Sequence, residues 1–551
     1  MLKYLFLINI VLLSINSLSA QPGGDLEGDK VDVIKTFEAQ LEETNKVNLA
    51  PQLPPIDTST KNQIFNIPIK NFAMEYPAPR IRPLAMKPVL FSDAYNTYLK
   101  AGVGLPNSFY GEASFNKFVD KQYEIGGSLK HHSANFSNDE VENQKFRDTE
   151  LDFEGTYFFS QGFALKGNLG FESDKVHYYG YNYDDTVDTM DVDADDVKQV
   201  FNTFDVGIDF FNGVKLAGDI NYNIGLDFYS LNDNFSAGED GFVFDARGTK
   251  WIEEKHSLDI GIRSDLTTYK DTATQKLNIF YLQPSFTFHG DRFSAKVGAN
   301  LANHDDEFHF YPDVEVAVNV TGSELTVFVG AKGDLQKNTF KTLSDYNPYV
   351  VSRAPGMTIE NTSYYKYYGG IKGNIKILEY RAEVGYKQAD NLALFLLDET
   401  DMNMSLRRRF NVLYDTVSIV NIGGTIKANI IKNLDIIGTA NYNIYDTQLQ
   451  ERAWHLPALE LNAMVTYLTM QDKLRLKASV FVESGVPVPS TTADKENLNS
   501  LFDLSIGGEY WLGDNFGVFL DVNNILDNER ERWQYYPTYG INFMVGATAK
   551  F

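Results

Sequence analysis

The sequence predicts an all-β fold: a transmembrane antiparallel β-barrel of about 22 strands, with an N-terminal extended arm. Apolar and polar residues alternate through most of the chain after residue 95, which is the pattern of strands with two different faces. Tight and long connections alternate between those strands, as in barrels with short periplasmic turns and long outer loops. After the first twenty residues, no apolar run approaches the roughly eighteen residues that a membrane helix requires.

Residues 1–20 have the pattern of a secretory signal peptide. Lys3 precedes the apolar run YLFLINIVLL, and the small residues of SINSLSA lead to a predicted cleavage after Ala20. The 551-residue chain contains no cysteine, which excludes a lipoprotein anchor and a disulfide framework. These features predict export to the bacterial envelope, and a membrane protein without membrane helices would have to be an outer-membrane barrel.

Residues 21–91 are predicted to form an extended arm, in the periplasm or in the lumen of the barrel. They hold half of the 18 prolines of the chain. Proline at that density excludes regular helices and central strands. The arm is therefore expected either to occlude the lumen or to dock a partner protein of the envelope, for instance by adding a strand to it.

Residues 92–551 are predicted to form the barrel, and the C-terminal hairpins show the pattern best. In KLRLKASVFVE, apolar residues from Leu474 to Val482 alternate with Lys473, Arg475 and other polar residues. The apolar face fits lipid and the polar face fits a wet lumen. An aromatic content of 14%, with 32 Tyr and 39 Phe, fits the aromatic girdles of such barrels.

The connections separate this prediction from a soluble β-sandwich, whose strands would also alternate. Read backward from the C-terminus, tight turns and long loops are expected to follow one another strictly. The tight turns are GDN at 513–515, QDK at 471–473, KN at 432–433, HGDR at 289–292 and FNG at 211–213, and the long loops include YYGYNYDDTVDTMDVDADD, SDYNPYVVSRAPGMTIEN and LLDETDMNMSLRRR.

The C-terminal segment YPTYGINFMVGATAKF is predicted to be the strand that closes the barrel. Every second residue from Tyr539 to Phe551 is apolar, and closure against the first strand leaves no unpaired edge in lipid. The terminal aromatic residue also resembles the signal by which the barrel-assembly machinery recognises its clients. That resemblance implies that Tyr539, Phe543 and Phe551 carry recognition, and the alternative is that they only belong to the aromatic girdles.

The terminal segment VNNILDNERERWQYYPTYGINFMVGATAKF resembles that of TonB-dependent receptors, in which an N-[LI]-[LF]-D turn precedes a Tyr-rich loop and a last strand ending in Phe. The segment YLKAGVGLPNSFYGEASF is similar to a Bacteroidota-type branch of such barrels. The family has a globular plug in its lumen, whereas residues 21–91 are short and lack a Gly-rich plug sequence, so the expectation is a barrel without the plug. The matching positions are Asn524, Ile525, Leu526, Asp527, Trp533, Tyr536, Gly540 and Phe551.

Few residues indicate a binding site. A net charge of −25 argues against a nucleic-acid partner. The segment DVDADDVKQVFN, with Asp191, Asp193 and Asp195, partly imitates a calcium loop but lacks its glycine and its final glutamate, so a solvated surface loop is the simpler interpretation. The run Arg407, Arg408 and Arg409 is expected in an outer loop, where it would bind lipopolysaccharide phosphates or balance nearby acidic residues.

The sequence does not predict an enzyme or a cofactor. His131 and His132 are expected at the start of a long loop, and a histidine pair without a third ligand makes a weak metal site. None of the common metalloprotease, serine-hydrolase or nucleotide-binding motifs is present.

Such a barrel is compatible with two alternative functions. The sequence favours a non-catalytic structural subunit of an outer-membrane complex for protein assembly or secretion, since a scaffold needs a barrel but no plug. The alternative is an outer-membrane transport channel or receptor gated by the arm and the outer loops, because a lumen of this width has to be occluded. Expected partners are outer-membrane lipid and lipopolysaccharide, the barrel-assembly machinery, and an envelope protein bound through residues 21–91.

Overall fold

The structure is a computed structural model that describes residues 95–119, 122–137, 141–183, 192–213, 220–352, 358–398, 407–489 and 496–551. The predicted signal peptide and arm therefore lie outside the described residues, as does Asp191. Within the described ranges, no helix has the length and apolar character needed to cross a membrane.

The described residues form 25 strands, one α-helix, α1 (Phe340–Tyr346), and one 3₁₀ turn (Gly180–Tyr183). The strands are β1 (Thr97–Leu105), β2 (Ser108–Val119), β3 (Tyr123–Phe136), β4 (Gln144–Phe158), β5 (Phe163–His177), β6 (Lys198–Asn212), β7 (Ile220–Asp233), β8 (Gly238–Ile252), β9 (His256–Lys270), β10 (Thr274–Lys276), β11 (Ile279–His289), β12 (Phe293–His304), β13 (Glu307–Thr321), β14 (Leu325–Gln336), β15 (Thr362–Ile375), β16 (Leu378–Leu397), β17 (Phe410–Ile431), β18 (Leu434–Thr447), β19 (Leu459–Thr469), β20 (Leu474–Ser484), β21 (Leu501–Trp511), β22 (Phe516–Asn523), β23 (Glu531–Trp533), β24 (Tyr536–Pro537) and β25 (Asn542–Lys550).

The short strands β10, β23 and β24 do not take part in closing the barrel. Each of the other 22 strands pairs in antiparallel fashion with its two neighbours, and β25 pairs with β1 from Lys550↔Tyr98 to Phe543↔Leu105. Just beyond that pairing, the N–H groups of Asn96 and Thr97 donate to the carbonyl oxygen of Phe551 at 2.6 and 3.0 Å. The sheet is a closed cylinder without an edge, which confirms the predicted fold class and strand number.

The two faces of the wall differ as the sequence predicts. Leu520 of β22 points outward and is 49% exposed, as expected of a side chain that faces lipid. The next residue, Asp521, faces the lumen, where its carboxylate lies 3.5 Å from the ammonium group of Lys100 on β1. On neighbouring strands, Arg475 and Glu509 pair across the inner face at 3.4 Å. An apolar outer band around a polar interior is the arrangement of a transmembrane barrel.

The predicted strict alternation of short and long connections is wrong at three connections. We call the end where β1 begins and β25 ends the turn end, and the opposite end the loop end. At the turn end, the tight turn expected at 211–213 is a longer connection between Asn212 and Ile220. At the loop end, the connections at 106–107 and 305–306 have only two residues, whereas 178–197 and 337–361 are long. Two residues suffice to join antiparallel strands at either end, so longer loops reflect what packs above the barrel.

Candidate functional site: an aromatic cap at the loop end

The largest cluster of buried apolar side chains lies at the loop end of the barrel. Its members come from the strand ends and connections around the rim, and together we call them the cap. They are Val141, Tyr178, Tyr179, Tyr181, Val192, Val197, Phe201, Leu231, Ala237, Tyr269, Leu277, Phe340, Leu343, Tyr349, Val350, Ile359, Phe395, Leu397, Phe410, Trp533 and Tyr536.

Three tyrosines at the centre of the cap join connections from separate parts of the rim. The ring of Tyr349, between β14 and β15, stacks on that of Tyr536, between β22 and β25, with centroids 3.7 Å apart and planes at 14°. Tyr179, between β5 and β6, meets Tyr536 edge-on at 5.0 Å. Because many strands separate these three connections, their side chains can meet only if the loops reach across the mouth of the barrel.

Hydrogen bonds join the connection that holds Tyr536 to that of Tyr179 and to the connection between β16 and β17, which holds Arg408. The hydroxyl of Tyr179 donates to the carbonyl oxygen of Pro537 at 2.8 Å, and that of Tyr536 donates to the carbonyl oxygen of Arg408. Burial raises the pKa of Tyr179, Tyr349 and Tyr536 above the ordinary value for tyrosine, so the phenols stay neutral. A neutral phenol keeps its donor, and the cap therefore combines aromatic packing with satisfied polar groups.

Trp533 organises the other half of the cap. Its ring lies 5.5 Å from those of Phe395, Phe410 and His455, measured between centroids. Nδ1 of His455 forms a hydrogen bond of 2.6 Å with the carbonyl oxygen of Phe395, while Nε2 is buried without a partner in the described part of the chain. Burial lowers the pKa of His455 to about 4, so the imidazole is neutral at neutral pH.

The helix α1 is held to the barrel wall by Glu239 of β8. This buried carboxylate accepts hydrogen bonds from the N–H groups of Phe340 and Lys341, at 2.6 and 3.2 Å, and from the hydroxyl of Tyr229 at 2.8 Å. A carboxylate at the first turn of a helix satisfies free N–H groups and opposes the helix dipole favourably. Phe340 then packs on Tyr269 with centroids 5.3 Å apart, which places α1 within the cap.

Side chains on the strands also pin the backbone of the long loops. The amide of Gln275 pairs reciprocally with the backbone of Ile359, at 2.8 Å and 3.0 Å. The carboxylate of Asp415, which is 1% exposed, accepts from the N–H groups of Leu449 and Gln450 at 2.9 and 2.8 Å. Such contacts satisfy loop backbone that would otherwise lack partners, and they order the loops against the wall.

The residues that resemble the TonB-dependent receptors shape the connection from β22 to β25. The side chain of Asn524 donates to the carbonyl oxygen of Tyr539 at 2.9 Å and accepts from the N–H of Asn528 at 3.0 Å. Asp527 accepts from the N–H of Ile541 at 2.7 Å, and a Cβ on Gly540 would lie 2.4 Å from that same carboxylate oxygen. This compact turn directs Trp533 and Tyr536 into the cap, a role that the sequence pattern alone did not reveal.

The residues of the predicted barrel-assembly signal occupy different environments. Phe543 and Phe551 lie at opposite ends of β25 and are 42% and 52% exposed, as expected for the two aromatic girdles. Tyr539 precedes β25, and its hydroxyl donates to the carbonyl oxygen of Gln144 at 2.8 Å. Recognition of these residues by the assembly machinery stays a prediction.

The arginine run immediately precedes β17 and touches the cap. Nε of Arg407 donates to the carbonyl oxygen of Asp196 at 2.7 Å, and its guanidinium lies 4.9 Å from the ring centroid of Phe235. Arg408 lies at the same distance from the ring of Tyr535. These contacts give Arg407 and Arg408 partners inside the protein. Contact of the run, including Arg409, with lipopolysaccharide stays a prediction.

The described part of the calcium candidate forms a local turn. Asp193 accepts from the N–H of Asp195 at 2.9 Å, and Asp195 pairs with Lys198 at 2.9 Å. The hydrogen bond from Lys198 lowers the pKa of Asp195. Within the described ranges, no group of three or more His, Asp or Glu side chains is arranged to hold a metal ion. Binding of calcium with Asp191 stays a prediction.

The expected position of the histidine pair is wrong. His131 and His132 lie within β3 and not at the start of a loop. His131 Nδ1 lies 2.8 Å from the hydroxyl of Thr149, while the His132 ring meets that of Phe146 edge-on at 5.0 Å. Neighbouring residues of a strand point to opposite faces, so the two imidazoles cannot bind one metal ion together.

Below the cap, the inner wall between β8 and β15 is polar and concave. A cavity of about 620 Å³ lies there. Carboxylates and cations alternate along it, including Asp259, Asp313 and Lys332. A polar cavity of this size can accept a small hydrophilic solute.

The fold is similar to those of solved iron and siderophore receptors. A mutant of the ferric enterobactin receptor PfeA from Pseudomonas aeruginosa has a TM-score of 0.60 at 12% identity, covering 83% of this chain and 80% of that chain. The ferric-catecholate import receptor Fiu from E. coli K12 has a TM-score of 0.62 at 9% identity, covering 84% and 82%. The FrpB iron transporter from Neisseria meningitidis gives the same values.

At these identities the likeness concerns the fold. No protein-family model matches the sequence, and the comparison with curated proteins finds no match. The resemblance drawn from the C-terminal segment is to a family of outer-membrane receptors, and the solved structures of similar fold are named as receptors and a transporter. The expectation that the chain is not an enzyme stays a prediction.

Proposed function

We propose that this protein is an outer-membrane transport receptor that admits a solute through its lumen when the cap opens. The cap carries the proposal: loops from separate parts of the rim meet in one aromatic core over the mouth. A scaffold subunit has no need of such closure, whereas a transport barrel needs a gate. The similar structures, all receptors or transporters, support the same function.

This proposal takes up the alternative that the sequence left open. The sequence favoured a structural subunit because residues 21–91 are too few for a plug. That argument concerns residues outside the described ranges, whereas the cap is built from described ones. In our proposal the loop end faces the outside of the cell and the turn end faces the periplasm, as the short turns of outer-membrane barrels do. The arm remains a second proposed gate.

For the solute, iron chelates are the first class to test. The similar proteins are named for ferric enterobactin, ferric-catecholate and iron. Their likeness to this chain concerns fold, so the choice of iron chelates is a proposal that the loops of this chain must satisfy by their own chemistry. The inner wall of the lumen is polar and the cap above it is aromatic. This combination suits solutes that carry both charged groups and aromatic rings.

Conductance in planar lipid bilayers tests the proposed gate. The Tyr349→Ala/Tyr536→Ala protein loses the stacked pair at the centre of the cap, and its matched control, Tyr367→Ala/Tyr386→Ala, loses a cross-strand tyrosine pair on the outer wall. Each pair of changes is measured in the full chain and in a protein that lacks residues 21–91. We expect large conductance steps only when the cap pair is removed.

Two outcomes would contradict the proposal in different ways. If the cap variant without residues 21–91 conducts no more than its control, the lumen is not a path, and the structural-subunit function gains support. If deletion of residues 21–91 alone opens the barrel while loss of the cap pair does nothing, the arm and not the cap is the gate.

A further inference from the structure

Three lysines stand side by side on the inner wall. Lys332 of β14 is the direct cross-strand partner of Lys366 of β15, and Lys366 is in turn the direct partner of Lys387 of β16. We call these residues the lysine row. In β14 and β15 the row lies four residues from the loop end, or about 13 Å below the rim. It therefore lies inside the lumen, beneath the cap.

Few carboxylates neutralise the lysine row. Lys366 pairs with Glu383 at 2.6 Å, but Glu383 also pairs with Arg381 at 2.6 Å, so one acid serves two cations. Among the described residues, Lys332 and Lys387 have no carboxylate within ion-pair distance. Asp334, on the same face of β14 as Lys332, is hydrogen-bonded to Asn300. Asp313, the cross-strand partner of Lys332 on β13, forms its ion pair with Lys296 instead. The row is thus a net positive surface.

Aromatic rings and one glycine flank the lysine row. The ammonium groups of Lys332 and Lys366 lie 5.7 and 5.8 Å from the ring centroid of Tyr368, and that of Lys387 lies 4.2 Å from that of Tyr364. A Cβ on Gly385 would lie 2.8 Å from Cε of Lys366. Glycine at that position lets the lysine stem lie against the wall.

The facing wall has the opposite sign. On β4 and β5, two adjacent cross-strand positions carry the acidic pairs Asp148↔Asp174 and Glu150↔Glu172. Two cations neutralise part of this charge: Lys341 of α1 lies 3.6 Å from Glu172, and Lys130 of β3 is the cross-strand partner of Glu150. About half of the barrel circumference separates these strands from β14–β16. An anion in the lumen would be repelled by the acidic wall and attracted by the lysine row, so the lumen holds a transverse field.

Like charges in direct cross-strand register destabilise a sheet, so the row needs a compensating interaction. Water in the lumen provides part of it by screening. From the register of the three lysines and the excess of cations around them, we infer that the lysine row binds a solute with several carboxylate or phosphate groups. This inference rests on the proposed function, since it assigns the charge of the solute that the receptor admits.

Equilibrium dialysis of the purified full-length protein against labelled citrate and labelled pyrophosphate tests the inference at low salt, with labelled sucrose as a neutral probe. In the variant, Lys332, Lys366 and Lys387 are replaced by Gln. The matched control replaces Lys100, Lys166 and Lys255 by Gln, because these three lysines each pair with a carboxylate away from the row. Both triple variants change the net charge equally.

We expect the row variant to bind the preferred anion at least tenfold more weakly and the control variant to change by less than twofold. Tighter binding of citrate would indicate a preference for carboxylate groups, and tighter binding of pyrophosphate a preference for phosphate groups. Equal losses in both variants, or no anion binding by the unaltered protein, would overturn the inference. Heat-modifiable gel migration checks that every variant is folded. The unaltered protein could bind the anion while the cap variant does not conduct. That result would support the anion site and contradict the transport function.

Discussion

The wall and the cap use aromatic residues in opposite ways. Tyr367, on the outer wall, is 58% exposed, whereas Tyr536, in the cap, is 1% exposed. The wall is held by backbone hydrogen bonds between neighbouring strands, so its apolar side chains are free to face lipid. The cap has few regular hydrogen bonds and depends on packing between residues that are distant in sequence. Substitutions in the wall should therefore affect stability and assembly, whereas substitutions in the cap should affect closure.

The largest expected effect is loss of cap closure in Tyr536→Ala. This change removes the stack on Tyr349 and the hydrogen bond to the Arg408 carbonyl. Truncation of a buried aromatic residue costs about 3–5 kcal/mol. We expect faster hydrogen exchange of the loop amides with unchanged heat-modifiable migration of the barrel. Equal exchange in Tyr536→Ala and in the outer-wall control Tyr367→Ala would show that the cap does not depend on this stack.

A charge on the outer wall should have a somewhat smaller effect, of another kind. Leu520→Arg places a cation on the lipid face near the middle of the barrel, which costs about 2–4 kcal/mol. Leu512→Arg, in the turn at 512–515, provides the control because that position lies outside the wall strands. Denaturant titration in liposomes should show a lower free energy of unfolding for Leu520→Arg alone. Equal losses in both variants would place the lipid boundary elsewhere.

Acid should weaken the cap through His455. Burial lowers the pKa of His455 to about 4, from an ordinary value of 6.5. The closed cap thus binds fewer protons than the open state, so its stability is full above pH 6.5 and falls as the pH drops towards 4. The loss at pH 4 is at most about 3 kcal/mol.

Hydrogen exchange of the loop amides between pH 7 and pH 4 measures this loss, after correction for the intrinsic pH dependence of exchange. In His455→Gln the difference between the two pH values should shrink, because the titrating ring is absent. The same pH dependence in both proteins would assign acid sensitivity to carboxylates instead.

The smallest expected effect on stability comes from Phe551→Ala. Phe551 is half-exposed and touches Phe516 edge-on at 5.8 Å, so the loss is about 0.5–1.5 kcal/mol. Phe516→Ala removes the same ring contact without changing the terminal residue. If Phe551 carries the assembly signal, its replacement slows folding by the purified assembly machinery, while Phe516→Ala does not. Equal assembly rates would leave Phe551 with a girdle role only.

The sequence predicts the wall well because each strand repeats one physical rule. The two-residue period, the closing strand and the strand number follow from residues such as Leu520 and Asp521 taken in order. The cap follows no period. Tyr179, Tyr349 and Tyr536 are far apart in the chain, and only the circular order of the strands brings them together. The Tyr-rich loop before β25 was a signal for the third of these, although it did not identify its partners.

The lysine row was equally hidden in the sequence. Each of Lys332, Lys366 and Lys387 is one polar residue on the inner face of a strand, as the alternation predicts. Their common level depends on the register of two hairpins, and the length of a loop such as 337–361 does not fix register by itself. Sequence patterns therefore predict whether a residue faces the lumen or the lipid, but they do not predict its level along the barrel axis.

The seam between β1 and β25 has a kinetic consequence. Lys100 of β1 and Asp521 of β22, which pair on the inner wall across β25, are 421 residues apart in the chain. Bringing the ends of so long a loop together costs about 5 kcal/mol of chain entropy, whereas each hairpin costs far less. Hairpins should thus accumulate into an open sheet whose edge strands stay reactive until the final pairing. The protection of those edges during membrane insertion then sets the yield of the closed barrel.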